Sequence, residues 1–143
     1  MFKKSLTLSI LILLSINYAF GQNREHQMKI KMIIGDQTLM ATLDDTAIAQ
    51  DFMSLLPMTL ELSDYNNTEK VSDLPKKLIT NNAPKGYTPQ KGDISYYAPW
   101  GNLAIFYNNF GYSNGLIKIG TIDNNSDLLN KKSSFSVRFE KSE

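Results

Sequence analysis

The chain has 143 residues, a formal net charge of +1 and no cysteine. Its length suits one domain, and 42% hydrophobic with 20% charged residues is a globular composition, not a disordered one. The absent thiols exclude disulfides, thiolate catalysis, cysteine zinc sites and a cysteine-anchored lipid, and the near-neutral balance gives no electrostatic ground for nucleic-acid binding.

Residues 1–21 read as a secretory signal peptide. Lys3 and Lys4 form a positive start, Leu6 to Ile16 is mainly apolar, and Ala19-Phe20-Gly21 sets small residues at the positions a signal peptidase reads. The apolar run falls short of the ~20 residues that a membrane span needs. The expectation is a bacterial exported protein, periplasmic or secreted, with no membrane attachment after cleavage before Gln22. Cleavage removes two lysines and no acid, so the balance turns slightly acidic. Residues 22–27 are a polar, flexible lead-in that contains His26, the chain's one histidine. The domain is expected over 28–143.

Met28, Ile30, Met32 and Ile34 alternate with polar positions and share one face of a strand. Gly35-Asp36 turns the chain into a returning strand with Leu39, Ala41 and Leu43 inward, a hairpin. Asp44-Asp45 offers a helix N-cap. Ile48, Phe52, Leu55 and Leu56 then follow helical spacing until Pro57. Met58 to Leu62 alternates again. Residues 63–92 are rich in Pro, Gly and Asn and read as a long excursion with short strands at most, near Lys70-Val71-Ser72 and Lys77-Leu78-Ile79. Leu103 to Tyr107 is a strand buried on both faces, Leu116 to Ile122 another, and Asn125 or Ser126 caps a short helix through Lys132. Phe135, Val137 and Phe139 give the closing strand its core face. This order predicts a mainly β fold, a closed antiparallel β-barrel with two short helices at its ends.

The run from Gly92-Asp93-Ile94 through Tyr96-Tyr97, Pro99-Trp100-Gly101-Asn102 and Leu103-Ala104 to Phe106-Tyr107 is the most distinctive part of the sequence. It resembles the bacterial cyclophilin-like domain family, and Phe110-Gly111-Tyr112-Ser113, Gly115-Leu116, Ser63-Asp64-Tyr65 and Leu74-Pro75 extend the likeness over about residues 28–141. The resemblance implies a cyclophilin-type barrel of eight strands with two helices, and no defined activity. True cyclophilins carry a Phe-His-Arg motif whose arginine polarises the prolyl amide. Here Arg24 lies in the lead-in and Arg138 in the last strand, neither in such a motif. The usual tool against an isomerisation barrier of ~18–20 kcal/mol is missing, and fold alone does not confer activity.

Aromatic and amide side chains cluster around that run. Trp100, Asn102, Tyr97, Tyr107, Phe110 and Tyr112 are the candidate ligand-binding residues, an apolar wall with a few polar tips. No catalytic residue, metal ligand or cofactor is expected. Asp123-Asn124-Asn125-Ser126-Asp127 has the spacing of a calcium loop, but Leu128 stands where glycine is required and Ser134 where a bidentate glutamate is required. Asp44, Asp45 and Asp64 are the other acidic candidates, the first two explained as caps. A Ser-His-Asp arrangement fails because His26 precedes the domain. The expected function is a non-catalytic binding module, monomer or homodimer, that holds a peptide or small molecule at the aromatic rim. The alternatives are an enzyme of unrecognised type, including a weak prolyl isomerase, and an assembly subunit that dimerises through the rim.

Overall fold

The computed structural model describes residues 27–143. The expected leader, and the lead-in apart from Gln27, lie outside the described residues. β1 (Met28–Ile34) and β2 (Gln37–Leu43) form the first hairpin, with Ile30 opposite Ala41 and Met32 opposite Leu39. All four side chains are buried, as the alternation requires.

The helix starts one to two residues later than Asp44-Asp45 suggests. The Asp44 amide is still tied to the Ile119 carbonyl, so the cap of α1 (Ala47–Met53) falls to Thr46, whose hydroxyl accepts from the Ala49 amide at 3.3 Å. Asp45 instead accepts from the Gln50 side chain. Ile48, Ala49 and Phe52 bury against the barrel interior, Phe52 edge-on to Phe139 with ring centroids 6.0 Å apart.

β3 (Met58–Tyr65) prolongs the alternating strand expected at Met58–Leu62, and β4 (Glu69–Asp73) contains the short strand expected near Lys70-Val71-Ser72; the two form a second hairpin whose turn falls in the excursion over 63–92. Its turn uses Asn66 and Asn67, both with positive φ, 55° and 53°, and closes through the Thr68 amide on the Tyr65 carbonyl. Asparagine tolerates that conformation better than most residues, and three residues, Asn66 to Thr68, separate the paired Tyr65 and Glu69. No strand forms at Lys77–Ile79.

The rest of the barrel is β6 (Asp93–Tyr97), β7 (Asn102–Phe106), β9 (Leu116–Ile122) and β10 (Phe135–Lys141). Two-residue strands β5 (Gly86–Tyr87) and β8 (Ser113–Asn114) pair with each other outside it. The eight long strands close in the order β1-β10-β3-β4-β7-β6-β9-β2, so none of them has a free edge.

The second expected helix is a single 3-10 turn, Asp127–Leu129. Beyond it the Lys131 carbonyl accepts from the buried Lys70 ammonium, and the chain bends at Lys132 and Ser133 before it enters β10. The calcium-like run is an ordinary turn in which Asn125 Oδ1 accepts from the Asp127 amide at 2.9 Å. No group of metal-ligating side chains occurs among the described residues.

Candidate functional site

β7 is buried on both faces, as its dense apolar run predicts. Leu103 and Ile105 belong to the barrel interior. Ala104 and Phe106 belong to a separate cluster on the outside, with Leu116, Val71, Tyr87 and Tyr97. Burial on the outer face needs a roof, and the β5–β8 ribbon supplies it. The two strands of the ribbon approach so closely that a Cβ on Gly86 would lie 2.4 Å from the Ser113 carbonyl oxygen, so only glycine fits there. Tyr87 fastens it to the barrel. Its hydroxyl meets Asp93 at 3.2 Å and Ser95 at 2.5 Å, and burial pushes this phenol well above the usual tyrosine range.

Beside the ribbon, a groove of about 840 Å³ opens over the outer faces of β3, β4, β7 and β6. Strand register orders its floor into rows. Asp73, Asn102 and Tyr97 lie across β4, β7 and β6. Tyr65, Glu69 and Phe106 lie across β3, β4 and β7. Trp100, in the β6–β7 turn, stands edge-on to Tyr97 and to Tyr65, with centroids 5.2 Å and 5.9 Å away. Trp100 is 64% exposed and Phe110 and Tyr65 are each 45% exposed, although the residues beneath them are sealed.

Tyr97, Trp100, Asn102 and Phe110, all expected from sequence, thus line one groove. Tyr107 does not. It follows Phe106 in the alternation and turns to the opposite face, where its hydroxyl donates to Asp64 at 2.5 Å. The Lys70 ammonium lies 3.1 Å from Asp64 and 5.2 Å from the Tyr107 ring centroid. The Tyr107 hydrogen bond is the main influence holding Asp64 below the usual carboxylate range. Burial and that carboxylate push the Tyr107 phenol up to about 12. This is a closed structural cluster. Tyr112 is also absent from the groove wall. It is an exposed side chain whose hydroxyl lies beside Gly86 of the ribbon.

Tyr65, Glu61, Glu69 and Asp73 line the groove too, and sequence reasoning missed them. The Asn66-Asn67 pair signals the turn but not its length: three residues, Asn66 to Thr68, separate the paired Tyr65 and Glu69, and alternation then places Val71 and Asp73 on the same face.

The polar chemistry of the groove is one-sided. It holds three carboxylates, and no basic side chain among the described residues lines it. Burial, helped by the Asp64 charge, raises the Glu69 carboxyl to about 7. Asn102 is 6% exposed; its Nδ2 donates to the Leu103 carbonyl at 3.0 Å, while its buried Oδ1 has no partner. A buried acceptor left unpaired costs about 1–3 kcal/mol, which marks a place where a donor can be supplied from outside. The groove has apolar walls, a few fixed polar tips and a volume in the range of small-ligand sites.

No curated protein matches the chain. Among solved structures, a hypothetical protein from Archaeoglobus fulgidus, determined in solution, is similar with a TM-score of 0.59 at 15% identity, covering 81% of this chain and 95% of that one. At that identity the likeness concerns the fold alone, and the fold is the closed eight-stranded barrel described above. The family model described as the cyclophilin-like family matches residues 32–140, from β1 to the end of β10, and the chain therefore belongs to the cyclophilin-like family.

Proposed function

We propose that this cyclophilin-like domain is a non-catalytic binding module that holds a peptide or small molecule in the groove between Trp100, Tyr97 and Tyr65. The observation that carries this reading is the contrast at the groove itself, where large aromatic rings stand exposed around a concavity whose floor is buried. Leaving such rings in water forgoes the stabilisation that burial supplies, and clustered exposed apolar surface is the usual mark of an interaction site.

Catalysis of prolyl isomerisation is not part of the proposal. The groove offers carboxylates, hydroxyls and an amide, and Arg138 is on β10, where it is paired with Glu140 at 2.6 Å. Export remains part of it, resting on the leader pattern of residues 1–21. Mass spectrometry of the protein from its native host tests export, with an N-terminus at or near Gln22 expected and a retained Met1 contradicting it.

Binding is tested by an NMR screen of small fragments and short peptides. Shift changes that cluster on Tyr97, Trp100, Asn102 and Phe110, and that vanish in Trp100→Ala, are expected. Binders that perturb only other surfaces would refute the site.

A further inference from the structure

The described residues contain six salt bridges, which engage Asp51, Asp64, Asp93, Asp123, Asp127 and Glu140. The groove acids Glu61, Glu69 and Asp73 belong to none of them. Glu61 accepts only from the Ser136 hydroxyl, at 2.8 Å. Acidic residues alone do not define a site. Here a second observation stands beside them: Asn102, more than nine-tenths buried in the groove floor, has an acceptor oxygen without a donor. The charged groups of the groove and its buried unpaired atom are thus all acceptors, and a positively charged ligand that carries donors matches them.

The aromatic walls fit the same chemistry. A guanidinium or ammonium group is attracted to the face of an indole or phenol ring, and Trp100, Tyr65 and Tyr97 offer those rings beside the carboxylates. The layout favours an extended occupant. Asp73 and Glu69 lie on one face of β4, four residues apart, which is roughly 13 Å at the rise of a strand. One small cation reaches one end only. An extended peptide covers both, because its own side chains return to one face every second residue.

We propose, building on the reading of this groove as a binding site, that its occupant is a basic peptide. An extended segment lays lysine or arginine side chains between the Trp100 and Tyr65 rings and the groove carboxylates, and turns a donor toward Asn102. A display library of random linear heptapeptides, panned on the whole domain at moderate salt, tests this. Enrichment of Lys and Arg is expected. Synthetic versions of the selected peptides should bind at least tenfold more weakly to Trp100→Ala and at least fivefold more weakly to Glu69→Gln/Asp73→Asn. Asp36→Asn, which removes a charge at the β1–β2 turn, should bind them unchanged.

Neutral or acidic selected peptides that still depend on Trp100 would overturn the charge assignment and leave the groove standing as a site. Selected peptides indifferent to Trp100→Ala would overturn both. Spermidine binding as tightly as the selected peptides, with the same dependence on Glu69 and Asp73, would overturn the peptide and keep the cation. Should a variant fail to fold by circular dichroism, loss of binding with rising salt in the unaltered protein carries the charge test. A peptide whose affinity is flat between 50 and 500 mM salt counts against it.

Discussion

The two faces of β7 bury nearly the same amount of side chain to different ends. Inward, Leu103 and Ile105 meet Ile30, Met32, Phe52 and Phe139 in a closed apolar core. Outward, Ala104 and Phe106 are covered by a ribbon of two-residue strands, and Asn102 at the same face keeps an unpaired oxygen. The inner face is a finished solution to burial. The outer face is partly roofed, edged with exposed aromatics and flanked by carboxylates without counter-ions. The comparison teaches that one strand can serve stability on one side and recognition on the other, because its side chains alternate.

The largest expected effect lies inside. Phe52→Ala removes a fully buried ring packed on Phe139 and should cost about 3–5 kcal/mol in urea unfolding. A loss under about 1 kcal/mol would mean that α1 contributes little to the core. The ribbon comes next. Gly86→Ala forces the two strands apart and should cost about 1–3 kcal/mol as overpacking does. It should also disturb the Tyr87 hydroxyl contacts, visible as shifts in the Asp93 and Ser95 NMR signals. Unchanged stability would mean that the ribbon is loosely held.

Asn102→Ala sharpens the contrast. It loses one hydrogen bond and relieves one unpaired acceptor, so its stability should move by about 1 kcal/mol or less while peptide affinity falls. A loss of several kcal/mol would place Asn102 among the structural residues.

The smallest effect is one of pH. The Glu69 carboxyl rises to about 7 in the folded chain. Between about 4.5 and 7 the folded state then holds a proton that the unfolded state releases, so stability falls as pH rises through that window. The side chain is only half-buried, which limits the effect to a few degrees of Tm at most between pH 5 and pH 8. Glu69→Gln should flatten the profile. The charged neighbours to consider are Asp64 and Glu61 on β3, Lys70 and Asp73 on β4, and Tyr107 after β7; the Lys70 ammonium is engaged with Asp64. A cation beside Glu69 favours its ionised form, so peptide binding should release a proton and strengthen from pH 5 to pH 8. Calorimetry in buffers of different ionisation enthalpy reads that proton directly.

Much of this was legible in the residues. Period-two alternation marked β1, β2 and β10, and the helical stripe marked Phe52, because burial on one face leaves a repeating trace. The dense run at Leu103–Tyr107 announced burial on both faces. Alternation could not say what covers the outer face, since β5 and β8 are too short to carry a period. It also could not reveal that the expected second helix is one 3-10 turn, Asp127–Leu129, followed by a segment whose Lys131 carbonyl is taken by Lys70. Tyr107 was grouped with the groove by proximity in sequence, and Glu69 was missed by distance in sequence. Alternation from Phe106 puts Tyr107 on the opposite face, and the three-residue turn Asn66 to Thr68 puts Glu69 beside Tyr65.

The central claim is that the outer face of this barrel binds while the inner face stabilises, and Trp100→Ala tests it most directly. Trp100 is 64% exposed and is the chain's one tryptophan, so the same side chain reports on both properties. The account predicts that urea unfolding of the variant, followed by circular dichroism, changes by about 1 kcal/mol or less, in the range of surface substitutions. It predicts that the selected basic peptides no longer bind. A loss of about 3–5 kcal/mol, as for a core tryptophan, or full retention of peptide binding, would contradict it.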